Sequence, residues 1–114
     1  MHILRNATTG EVLADQVLRA NTPWSRFIGF LARRHVAIGE GLWFEHCSTV
    51  HTVGMRSAID IVFLDRHHTI VRAVSRAERH RIFSGGTKAM HVLELHPGIL
   101  EHHDLLVGDR LVLE

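Results

Sequence analysis

The spacing of apolar positions changes period along the chain, and each change marks an element. His2 to Arg5 and Val12 to Arg19 read as two short strands around the turn Asn-Ala-Thr-Thr-Gly, a hairpin signal. Thr22 to His35 reads as a helix. Thr22 is its N-cap, and Pro23 takes the first helical position, where a missing N–H costs nothing. Trp24, Phe27, Ile28 and Leu31 follow at helical spacing and form one apolar face. Gly29 weakens such a helix by about 1 kcal/mol relative to alanine. Arg33, Arg34 and His35 supply the cations that favour a helix C-terminus.

After Gly39-Glu40-Gly41 the period falls to two. In an extended Leu42 to Val53, Trp43, Cys47 and His51 share one face, and Phe44, His46 and Val50 share the other. Neither face is wholly apolar, so a bend or bulge is expected near Cys47-Ser48. Gly54 starts a turn, and the β-branched and aromatic run Ile59 to Leu64 reads as a central strand. Asp65 to His68 turns into a strand over Thr69 to Ser75, with Ile70, Arg72 and Val74 on one face. Residues 76–88 are polar, contain Ser84-Gly85-Gly86-Thr87, and read as a mobile loop. Ala89 to Leu95 resumes as strand, Pro97-Gly98 breaks it, and Ile99 to His103 reads as one helical turn. Gly108-Asp109 then leads into a last strand, Arg110 to Leu113. The pattern is that of a mainly β (α+β) domain whose later strands close a small barrel or sandwich.

With 114 residues the chain is expected to form one compact β-rich domain, 1–114, held by side-chain packing, because a single cysteine allows no intramolecular disulfide. The 46% hydrophobic and 22% charged content is ordinary for a soluble globular protein. A formal net charge of +1 argues against a strong nucleic-acid or membrane-surface binder. The N-terminus shows no signal-peptide pattern, and no window approaches the roughly 18 apolar residues of a membrane helix, so a cytoplasmic location is expected. Eleven histidines are scattered along the chain, so net charge should rise steeply on acidification. Charge is also uneven. Residues 66–88 carry six basic residues against one acidic, and residues 89–114 carry five acidic against one basic. The two stretches are expected to attract each other within the fold.

Cys47 and His51 suggest a thiolate–imidazole pair, but four residues of extended strand span roughly 13 Å, beyond hydrogen-bond reach. A dyad needs a sharp bend, or a histidine from another strand such as His91. A packed core thiol is the simpler reading. Metal binding needs three or four converging ligands. The pairs His67-His68 and His102-His103 diverge on a strand, and no His-x-His, His-Glu-x-x-His or Cys-x-x-Cys occurs. A set drawn across strands from His46, Cys47, His51 and His91 has no spacing to support it, and no metal or cofactor is expected. Arg56 and Asp60 flank the turn between the central strands. They read either as polar anchors at a pocket rim or as the ion pair or turn-binding carboxylate that fixes a hairpin. The structural reading is preferred for Asp60, and both stay open for Arg56. Ser84 to Lys88 lacks the spacing of a phosphate loop. The arginine-rich stretch has only Phe83 as an interleaved aromatic, a poor fit to single-strand stacking.

Several motifs in order resemble a known family. Thr22, Arg26, Gly29, Phe30 and Leu31 are followed by Gly41 to Phe44 and by His-Thr-x-Gly-Met-Arg at His51 to Arg56. Then come Ile59 to Asp65, Val92 to Leu95, and the late Gly108-Asp109. Together they resemble the uncharacterised prokaryotic domain-of-unknown-function family 192 across nearly all of residues 12–113. Ser57-Ala58 stands where that family usually has an aromatic residue or threonine followed by proline. The resemblance implies a compact, mostly β domain, a small barrel or jelly-roll-like sandwich with one or two short helices, and no reaction to carry over.

The leading expectation is a non-catalytic domain that binds a small polar ligand or a peptide. His51, Arg56 and Asp60 would line the rim, Cys47 would lie beneath, and residues 77–88 would cover the site. Polar residue types are concentrated there in strands otherwise built for burial, where each unpaired polar group costs about 1–3 kcal/mol. No nucleic-acid or membrane partner is expected, and self-association at most weak. The alternatives are a cysteine- or metal-dependent hydrolase and a structural or assembly module.

Overall fold

The computed structural model describes residues 1–20 and 35–114. The helix expected over Thr22 to His35 falls almost wholly outside the described residues. The described chain forms β1 (His2–Asn6), β2 (Val12–Ala20), β3 (Glu40–Phe44), β4 (Thr49–His51), β5 (Ile59–Leu64), β6 (Ile70–Ala77), β7 (Ile82–Ser84), β8 (His91–Leu95), the short helix α1 (Ile99–His102) and β9 (Leu111–Leu113).

Seven strands make one sheet in the order β6-β5-β8-β3-β2-β1-β9. Every neighbouring pair is antiparallel except β2 with β3. A parallel pair needs a crossover rather than a tight turn, and residues 21–39 supply its length. The sheet curls until its edges meet at one end. Thr69 bridges Arg110, Ile70 N–H donates to Asp109 O at 2.8 Å, and Leu111 N–H donates to His68 O at 3.0 Å. The result is a half-barrel, the mainly β architecture expected from the strand pattern.

Strand alternation sorts the core into two faces. On β5, Val62 and Leu64 enter the inner cluster with Leu4, Val17, Trp43 and Leu93, which Leu100 and Leu105 help to fill. Ile59, Ile61 and Phe63 enter the outer cluster with Phe44, Val50, Met55 and Val92. All six residues of β5 are buried, so this strand reads in sequence as an unbroken apolar run interrupted only by Asp60.

The outer cluster is covered by a second, two-stranded sheet of β4 and β7. Two expectations change here. The extended Leu42 to Val53 is two strands in different sheets, and the chain turns at His46, whose φ is 52°, just before the expected bend. Residues 76–88, expected as a mobile loop, contain β7, which pairs Ile82, Phe83 and Ser84 with His51, Val50 and Thr49. Gly85 follows because nothing larger fits. A Cβ there would lie 2.5 Å from both the Phe63 ring and the Ala89 methyl group.

Candidate functional site

The four residues singled out from sequence do not form one cluster. Asp60 is fully buried on the inner side of β5, opposite Leu95. Its Oδ1 accepts from Arg76 N–H at 2.8 Å, and its Oδ2 accepts from Gly98 N–H at 3.1 Å and Leu100 N–H at 2.9 Å. The first bond holds a bulge in β6, where the register slips between Val74 and Ala77 and Arg76 adopts φ 49°. The other two hold the entry to α1, where Gly98 has φ 97°. A side chain at Gly98 would be strained by that φ and would put its Cβ 3.1 Å from the Arg76 guanidinium. The bulge aims Arg76 at Glu101, whose carboxylate also accepts from Ser75 Oγ at 2.8 Å. The Ser75 hydroxyl and the Arg76 guanidinium hold that carboxyl below its ordinary pKa range.

Cys47 is half-buried. Its N–H donates to Met90 O at 2.8 Å, and its thiol donates to Thr49 O at 3.1 Å. His51 lies in β4, and its Nδ1 accepts from Val53 N–H at 3.3 Å. Arg56 is exposed on the turn before β5, and its carbonyl accepts from Arg79 Nη1 at 3.3 Å. Asp60 is thus turned into the barrel, while Arg56 and His51 lie toward the small sheet.

A cleft of about 270 Å³ opens between β6 and β7, lined by Val74 to Glu78, Arg81 and Phe83. Buried Thr52 fixes its near wall. The Thr52 hydroxyl donates to Glu78 O at 2.6 Å and accepts from Arg81 N–H at 3.0 Å, and Thr52 N–H donates to Arg81 O at 2.8 Å. Arg72 reaches across from β6, donating to Ser84 O at 2.5 Å. Arg81 pairs with Glu78 at 2.8 Å and Arg76 with Glu101 at 3.2 Å. All four side chains are more than half exposed, so these pairs are worth roughly 0–1 kcal/mol and exchange easily for another anion. Of the six basic residues in the stretch 66–88, Arg76 and Arg81 line this cleft, and among the described residues Arg76 is the one paired with the acidic C-terminal stretch. The uneven charge was visible in the sequence, but the grouping of its arginines needed the β6 bulge and the Thr52 anchor.

A second group lies where the sheet closes. Trp43 stands edge-on to His68 at 4.9 Å and stacks with His91 at 5.8 Å, while His68 and His46 lie 5.2 and 5.9 Å from His91. Trp43 and His91 are buried, and Trp43 Nε1 and His91 Nδ1 have no hydrogen-bond partner among the described residues. His46 and His68 both have left-handed backbones, at φ 52° and 64°. Sequence spacing gives no sign of this group, because its members come from three separate stretches, 43–46, His68 and His91. Among the described residues, no three His, Cys, Asp or Glu side chains converge as a metal-ligand set.

Burial holds His68 below the ordinary imidazole range, helped by Arg110 and Arg19 and opposed by Glu45 and Asp65. Burial does the same for His91, with His68, His46 and Arg19 acting in the same direction and Glu45 against.

The half-barrel with its small outer sheet defines a mainly β domain, and comparison with known proteins identifies its family. Residues 4–113 match the model of DUF192, described as Uncharacterized ACR. The chain is 31% identical over 109 residues to the UPF0127 protein PF1050 of Pyrococcus furiosus, covering 93% of each. It therefore belongs to the DUF192 family. Its fold matches a solved protein of unknown function from Novosphingobium aromaticivorans, with TM-score 0.78, 16% identity, and coverage of 97% of this chain and 82% of that one. It also matches a Sinorhizobium meliloti protein provisionally named a transcription regulator, with TM-score 0.77, 25% identity, and coverage of 98% and 91%.

Two outcomes are expected. Asp60→Asn turns an amide NH2 toward backbone donors and should destabilise the protein by about 3 kcal/mol in urea unfolding. Because His68 and His91 bind protons more weakly in the folded protein, their contribution is fully present above the unfolded pKa of roughly 6.5. It is lost as pH falls below that value. The urea midpoint should therefore drop between about pH 7.5 and 5.5, and His68→Asn, which tolerates the left-handed backbone, should flatten that drop.

Proposed function

We propose that this protein is a non-catalytic binding module for a small polar ligand or peptide carrying negative charge, held in the cleft between β6 and β7. The observation that carries the reading is the gathering of Arg76 and Arg81 in the cleft wall, with Arg72 and Arg79 beside it, where the acidic partners among the described residues are Glu78 for Arg81 and Glu101 for Arg76. Arg56 contributes at the rim through its contact with Arg79, and His51 through its pairing with Ile82, between lining residues Arg81 and Phe83. Phe83 gives the floor an apolar surface, so the site suits an organic anion better than a bare ion. Asp60 acts from below by fixing the bulge that delivers Arg76.

A hydrolase built on Cys47 has less support, because the thiol's hydrogen bond runs to a backbone carbonyl rather than to an imidazole. The provisional name of the Sinorhizobium relative raises DNA binding. That role calls for phosphate contacts spread along a face, whereas here Arg76 and Arg81 line one cleft, with Arg72 and Arg79 beside it.

Calorimetric titration with N-acetyl-glutamate, inorganic phosphate and duplex DNA tests the reading. One or both small anions should bind saturably, and Arg79→Ala/Arg81→Ala should weaken that binding by at least about tenfold. Binding unchanged in the double variant, or duplex binding alone, contradicts it.

A further inference from the structure

The cleft lies between β6 and β7, and the hydrogen-bonding direction of the free edge of each strand follows from the ladders. In the small sheet, Gly85 N–H donates to Ser48 O and Thr52 N–H donates to Arg81 O, in register with Val50 opposite Phe83. Antiparallel pairs alternate, so Ile82 and Ser84 turn their N–H and C=O groups away from β4. In the main sheet, Leu64 O accepts from Met90 N–H and so points to β8. Val62, two residues earlier, points the same way, and its β6 partner Ala73 therefore turns its backbone groups away from β5. At the barrel closure, Ile70 spends its outward groups on Gly108 and Asp109. Past that point, the backbone groups of Ala73 and Ile82 have no described partner, and the Ser84 carbonyl is held by the Arg72 side chain.

We infer that the cleft takes an extended acidic peptide segment as an added β-strand, pairing with the open edges of β6 and β7 while its carboxylates meet the arginines. This rests on the binding-module reading and names the ligand class for the same site. Ser84 O would exchange the Arg72 guanidinium for a peptide N–H, freeing Arg72 for a carboxylate. Alternate side chains of the peptide would meet Phe83 and Ile82, the latter 75% exposed beside the cleft. Charge selects the occupant. A second copy of this chain would bring its own arginines to the edge and be repelled, the usual way an exposed edge is kept from self-pairing. An acidic segment is attracted.

The test uses the full chain and a blocked hexapeptide alternating glutamate and valine. Its controls are the same peptide N-methylated on the amides of one edge, the lysine-for-glutamate peptide, and N-acetyl-glutamate. The acidic peptide should bind saturably, with backbone amide shifts at Ala73, Ile82 and Ser84 in NMR spectra. N-methylation should weaken binding by about tenfold, as expected for two lost hydrogen bonds, and the lysine peptide should not bind. If the N-methylated peptide binds equally well, or only N-acetyl-glutamate binds, strand addition is wrong and the anion-binding reading survives. If neither acidic peptide nor anion binds, both readings fall.

Discussion

The Asp60 carboxylate is the constraint on which the working parts of this fold depend. It sits at the base of a strand buried on both faces, where a charge is tolerated only if its oxygens are fully used. Three backbone N–H groups use them, one from the β6 bulge and two from the turn into α1. A single side chain thus joins three parts of the chain far apart in sequence. It sets the bulge that turns Arg76 outward and seats the helix whose Leu100 fills the inner core.

The same economy appears at the other end of the half-barrel. There the closing contacts of His68, Ile70 and Asp109 bring the β5–β6 turn against the lead into β9. Trp43 and three histidines occupy the space beneath. Burial disfavours the charged forms of His68 and His91 there, so the closure is weakened by acid, where protonation would place like charges 5.2 Å apart in partly buried surroundings. The small sheet works differently. Each of its strands has three residues and could not stand alone, and it persists because Val50 and Phe83 pack on the outer core and Thr52 is buried within a set of hydrogen bonds.

Much of the architecture was legible from sequence because it follows from periodicity and turn chemistry. Ile59 to Leu64 reads as a central strand and is one, and Pro97-Gly98 marked the break before α1. The unreadable parts depend on tertiary contacts. Ile82 to Ser84 is too short, within a polar stretch, to announce a strand, and it forms one because the Thr49 to His51 segment offers it a partner. His46 and Arg76 adopt left-handed backbones with no glycine to signal them. Asp60 was recognised as a residue of consequence with a preferred structural role. Its three donors, however, come from residues 16 to 40 positions away. The arginines were visible as a charge block, but their convergence was not, because it depends on a bulge and a buried threonine hydroxyl.

The most direct measurement of the central claim is NMR of the arginine side-chain Nε–H groups during titration with N-acetyl-glutamate at fixed ionic strength. If the cleft binds anions, the resonances of Arg76, Arg79 and Arg81 shift together and saturate, while those of Arg5 and Arg66, outside the cleft, stay in place. If all arginines shift alike without saturating, the charge is only a solvated surface and the binding account is contradicted.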